Sequence, residues 1–224
     1  MSAREAILGK VRSALHGDAG DAARAAIVAA RLKQPPKGVI PERGQLPHKE
    51  RVALFCVMAE KLAATVERVK GPDAVPNAVA RYLRRHNLPA SLRMGADQRL
   101  AAMPWDEQRA LELKSGPSDG DDEVGLSHAT AAIAETGTLV LTSGLANPTT
   151  INFLPEHHII VVDAADIEGD LEAALARIRS DFGKGKMPRT VNLISGPSRS
   201  ADIEQKLILG AHGPRALHVI VVGG

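Results

Sequence analysis

The stretch TVNLISGPSRSADIEQKLILGAHGP, residues 190–214, reads as an apolar strand, Val191–Ser195, and a Gly196–Pro197 turn. A helix from about Ser200 to Leu209 follows, with Gly210 as its stop. A strand–turn–helix unit of this kind belongs to an α/β sheet, and open α/β sheets bind ligands at the carboxyl ends of their strands. The turn is dense in polar groups: Ser195, Ser198, Arg199, Ser200 and Asp202.

Working outward, Thr138–Thr142 (TLVLT), His158–Val162 (HIIVV) and Leu217–Val222 (LHVIVV) read as strands. Residues 126–135 and Asp166–Ser180 read as helices, the latter capped by Asp166. Near-continuous apolar strands alternating with helices predict a mostly parallel sheet covered by helices on both faces. Upstream, residues 48–70 carry apolar positions at helical spacing up to Gly71–Pro72. A shorter helix is expected at about 75–86, and Ser91–Met94 as a first strand. Residues 3–33 read as two helices broken at His16–Gly20, and 34–48 as a linker holding Pro35, Pro36, Pro41 and Pro47. The expected division is a helical arm with a Pro-rich linker, 1–48, and an α/β domain, 49–224.

Composition narrows the function classes. With 44% hydrophobic residues the chain can bury an ordinary core, and with 2% aromatics it must fill that core with aliphatic side chains. So few aromatics leave no stacking platform for single-stranded nucleic acid. A net charge of +2, from 28 basic and 26 acidic residues, speaks against a nucleic-acid or membrane-surface partner. The cluster Arg81, Arg84, Arg85 and His86 reads as a solvated helix end. One cysteine, Cys56, permits no internal disulfide and fits a reducing compartment. Without paired cysteines the chain by itself holds neither an iron–sulfur cluster nor a structural zinc. No apolar run reaches membrane-span length, and a cytoplasmic location is expected. The Asp119–Glu123 run lacks the glycine and distal glutamate of an EF-hand and reads as a solvated loop.

Three clusters carry candidate chemistry. In AIAETGTLVL, Glu135 closes the expected helix, Gly137 permits a turn, and Thr136 and Thr138 flank it. Glu135 is a nucleophile or general base, or it caps local backbone donors. In the turn before the expected helix, backbone N–H groups and Arg199 suit a carboxylate or phosphate. Equally, Ser198 or Ser200 is an ordinary N-cap there, with Asp202 complementing the dipole. The turn is neither a P-loop nor a dinucleotide fingerprint. The third cluster is His212–Gly213–Pro214, a surface histidine or a ligand group. His157 and His158 precede a strand, one expected inward and one outward, and residues 145–158 form a substrate-facing loop or lid.

AIAETGTLVL, LPEHHIIVV, ISGPSRSADIE and GAHGPRALHVIVV, in that order over about residues 120–224, resemble the LUD-domain family. More narrowly they resemble its lactate-utilisation protein C (LutC/YkgG) group. The resemblance implies a fold like that of the NagB/RpiA/CoA-transferase superfamily. It implies a non-redox part in bacterial oxidation of L-lactate to pyruvate, beside iron–sulfur partner proteins that carry the clusters. It leaves open whether this chain binds a small organic acid or organises those partners. A CoA-transferase-like enzyme with Glu135 as nucleophile is a second reading, and a small-anion-binding regulator a third. The site expected is Glu135, Thr136, Gly137, Thr138, Ser195, Gly196, Ser198, Arg199, Asp202, His212 and Gly213, with no metal.

Overall fold

The computed structural model describes residues 2–15, 22–34, 38–183, 185–203 and 206–223, with backbone alone at 200–203 and 206–208. The expected breaks at His16–Gly20 and Pro35–Pro36, and the side chains of Ser200 and Asp202, lie outside the described residues. The chain divides into two compact units, 1–39 and 40–224. The first holds α1 (Ala3–Ala14) and α2 (Ala22–Lys33), neither of which buries a residue. Ser2 and Glu5 form a reciprocal capping box at the start of α1.

The second unit is built on a six-stranded parallel sheet. Its strands are β1 (Thr65–Val69), β2 (Ser91–Met94), β3 (Glu112–Ser115), β4 (Val124–His128), β7 (His157–Asp163) and β12 (Ala216–Val222), in the spatial order β1-β12-β7-β4-β2-β3. The central strands are apolar on both faces, as a covered parallel sheet requires. A four-stranded sheet, β8-β5-β6-β9, is made of β5 (Ala131–Ile133), β6 (Thr138–Thr142), β8 (Ile167–Glu168) and β9 (Val191–Ile194). A hairpin, β10 (Arg199–Ile203) with β11 (Lys206–Leu209), follows β9.

One face of the large sheet packs on α4 (Val75–Arg85) and α5 (Gln98–Ala101) through Val79, Leu83, Leu100, Leu126 and Ile159. The other face packs on α3 (His48–Lys61) and the small sheet through Phe55, Ala132, Leu139, Ile160 and Val219. The far side of the small sheet is covered by α6 (Leu171–Phe182) through Ile133, Val140 and Ile178. The architecture is α/β with a mostly parallel sheet, as expected. The covering of its second face is shared between a helix and a sheet.

Four local expectations are corrected. The helix expected over Ser200–Leu209 is the β10–β11 hairpin, in which Arg199 pairs with Leu209 and Ile203 with Lys206. The helix expected over 126–135 is two strands, because Ala129, Ala132 and Ala134 lie completely buried in the core shared by the sheets, where larger side chains would hold them apart. The helix expected over 48–70 ends at Lys61. Ala63 takes the left-handed conformation at φ 66, Ala64 N–H returns to Ala59 O at 3.1 Å, and the β-branched run TVERV continues as β1. The last long helix begins at Leu171 with Asp170 as N-cap, since Asp166 is engaged by Arg99 and Arg177. The acidic loop is likewise not wholly solvated. Asp122 is buried, accepting from Arg93 Nε and Ser118 Oγ, both at 2.8 Å.

Candidate functional site

The turn after β9 folds back under the amino ends of β7 and β12. Gly196 has φ 85, and a Cβ on it would stand 2.3 Å from Leu62 O, so only glycine lets the chain pass α3's end. Arg199 Nη2 also donates to Leu62 O. Ser198 N–H donates to Pro214 O at 2.8 Å, and Ser198 Oγ accepts from His212 N–H at 3.3 Å. These bonds tie the Gly-Pro turn to the His-Gly-Pro turn.

Between the two turns lies a cavity of about 270 Å³. Its wall brings together Ser195, Gly196, Ser198, Arg199, His212 and Gly213 of the expected set. Asn152 and Phe153, from the segment before β7, and His158, from β7 itself, add to it. Among the described residues, no carboxylate side chain lines it. The donors here are side chains, not a helix N-terminus, because the expected helix is a hairpin. The position differs too. His158 and Leu217 are second residues of their strands, so the cavity lies at the amino edge of the large sheet, not at its carboxyl edge.

Glu135, Thr136, Gly137 and Thr138 do not line the cavity. Glu135 sits in the β5–β6 turn, buried, with Oε1 accepting from Leu171 N–H at 3.4 Å and Oε2 3.9 Å from Arg43 Nε. A carboxylate at the first residue of α6 is favoured by that helix's dipole. Gly137 lies against the α3 backbone, where a Cβ would be 2.5 Å from Ala59 N. Thr136 and Thr138 reach the cavity indirectly: Thr136 Oγ1 meets Thr138 Oγ1 at 2.8 Å, which meets Ser195 Oγ at 2.7 Å.

The sequence reading missed Asn152. Ser127 Oγ donates to its Oδ1 at 3.2 Å, so Ser127 in turn accepts from His158 Nε2 at 3.0 Å. Burial pushes the His158 pKa down to about 3, so the ring stays neutral and the chain of bonds keeps one direction. Asn152 Nδ2 is left buried without a partner beside the cavity. Only the polar character of residues 145–158 hinted at this. The adjacent histidines are both covered, on opposite faces of the sheet. His158 serves the cavity, and His157 Nδ1 is 2.9 Å from Tyr82 Oη.

The fold and this donor-lined cavity define an α/β protein with a polar pocket at the amino edge of its sheet. The LUD domain family model matches residues 52–222, and the chain belongs to that family. It is 35% identical over 100 residues to a lactate utilization protein C of Shouchella clausii, a match covering 44% of each chain. A Geobacillus protein of the same name is 40% identical over 100 residues, covering 44% of this chain and 42% of that one. Another, from Oceanobacillus iheyensis, is 29% identical over 182 residues, covering 80% and 70%. The matches thus span less than half the length of the first two relatives. A crystal structure of a DUF162 family protein from Deinococcus radiodurans shares the fold, with a TM-score of 0.61 at 22% identity, over 80% of this chain and 99% of that one.

Among the described residues, no helix is long and apolar enough to cross a membrane.

Proposed function

We propose that this chain is a non-redox component of bacterial lactate utilisation that binds a small organic acid, lactate or its oxidation product, in the amino-edge cavity. The lining carries the reading. Arg199, Ser195, Ser198 and the unpartnered Asn152 amide offer donors to an anion, and none of the described residues in the wall is acidic. The volume of about 270 Å³ falls just under the ~300–1,000 Å³ of pockets for drug-sized ligands, which favours a molecule of few atoms. The name shared by the bacterial relatives supplies the metabolic setting. In this reading electron transfer falls to the iron–sulfur partner proteins that the family resemblance implies; Cys56 alone cannot furnish a cluster's thiolates.

The test is calorimetric titration of the purified chain with L-lactate and pyruvate. One of them binds, and Arg199→Ala weakens it about tenfold or more, the loss of a charge-assisted hydrogen bond. Equal affinity in Arg199→Ala, or binding of neither acid, rejects the site. Lactate-dependent electron transfer by extracts of a deletion strain, with and without the added chain, tests the metabolic role.

A further inference from the structure

The amino-edge cavity is larger than a three-carbon acid. Its volume is about 270 Å³. A water takes roughly 30 Å³ in the liquid, so the cavity has room for about nine units of that size. Lactate, with three carbons and three oxygens, leaves part of this space unfilled. Much of the wall is also apolar. Beside the donors it carries Phe153, Leu193, Ile194, Pro197, Pro214 and Leu217.

Charge and apolar surface come from different turns. Arg199 Nη2 lies at the Gly-Pro turn, 3.2 Å from the place of a Cβ on Gly196. Phe153 lies at the His-Gly-Pro turn, where a Cβ on Gly213 would meet its Cδ1 at 3.6 Å and Ser198 Cβ at 3.5 Å. Phe153 is 42% exposed and Leu193 50% exposed, although both belong to the cavity wall. Apolar surface of this kind gains when a ligand's chain takes the place of water on it. A carboxylate held at Arg199 leaves the rest of its molecule to run between the turns, toward Phe153 and Leu193.

We propose that this cavity selects 2-hydroxy acids whose aliphatic chain is longer than that of lactate, about four to six carbons in all. The carboxylate takes the donors of Arg199 and Ser198, and the chain lies on Phe153, Leu193 and Leu217. The proposal rests on the reading of this cavity as an acid site and names the class of acid. Each methylene covered there tightens binding about threefold.

The test is calorimetric titration of the full chain with the sodium salts of L-lactate, L-2-hydroxybutyrate and L-2-hydroxyisocaproate. Affinity rises along the series, and the last acid binds about tenfold or more tightly than lactate. Phe153→Ser lowers that ratio about threefold or more. Gly213→Ala lowers it too, because the added methyl narrows the space between Phe153 and Ser198. That methyl meets both at ordinary contact distances, on a backbone that alanine adopts without strain. The proposal is overturned if lactate binds as tightly as 2-hydroxyisocaproate, or if both variants keep the parent's ratio. A flat series that Arg199→Ala still weakens rejects the chain-length selectivity alone. If no acid of the series binds, or Arg199→Ala leaves every affinity unchanged, the acid site itself is rejected and this proposal falls with it.

Discussion

Gly137 shows how much one residue carries here. Its φ is 66, and the space of a Cβ is occupied by the α3 backbone at 2.5 Å, so neither its conformation nor its surroundings admit a side chain. Gly137→Ala is expected to cost at least about 2 kcal/mol, read as a fall of about 5 °C or more in the thermal midpoint. Asp122 is the electrostatic counterpart. Burial pushes its carboxyl up, but hydrogen bonds from Arg93 and Ser118 and the charges of Arg93 and Lys114 outweigh this and hold it below its usual range. Arg93→Ala strands that carboxylate and is expected to cost about 2–3 kcal/mol in urea unfolding, with Asp122→Asn restoring part of it in the double variant. At this scale Ser195, Ser198, Arg199 and His212 were legible as a polar cluster. Asn152 was not, because its significance lies in a bond to Ser127 and in the absence of any for Nδ2.

Elements were legible where their own chemistry dominates. The strands at 91–94 and 138–142 are as expected, the first from its alternating polar and apolar residues and the second from its apolar, β-branched run. The failures share a cause. ADIEQKLIL is rich in helix formers, yet the chain pairs it as β10 and β11. LSHATAAIAE is Ala-rich, yet its alanines serve close sheet packing. In both, tertiary pairing overrides local propensity. The α3–β1 junction gives a test at this scale. Ala63 is exposed and left-handed, which costs an alanine roughly 1 kcal/mol. Ala63→Gly should therefore stabilise the protein by about 0.5 kcal/mol or more, measured as a raised urea midpoint, and no gain would show that the strain is absorbed elsewhere.

Across the whole molecule, buried histidines set the response to acid. Burial lowers the His158 pKa to about 3 and the His218 pKa to about 4. Unfolded histidine titrates near 6.5. The fold therefore favours the neutral rings: its stability is full above about pH 6.5 and is lost as the pH falls toward 4 and then 3. The thermal midpoint should be level from pH 7 to 8 and decline steadily from 6.5 to 4. His218→Gln should flatten the decline, and an unchanged slope would remove His218 from this account.

Fold class, the parallel strands β2, β7 and β12 and the polar turn at 195–199 follow from residue type and spacing, because hydrophobic periodicity and turn chemistry act over a few residues. The tertiary structure alone decided three things. It made residues 199–209 a hairpin, set Glu135 against α6 and not in the cavity, and placed that cavity at the amino edge of the sheet. Each depends on contacts between segments far apart in the chain, such as Gly196 on Leu62 and Ser198 on Pro214, which no local pattern of residues encodes.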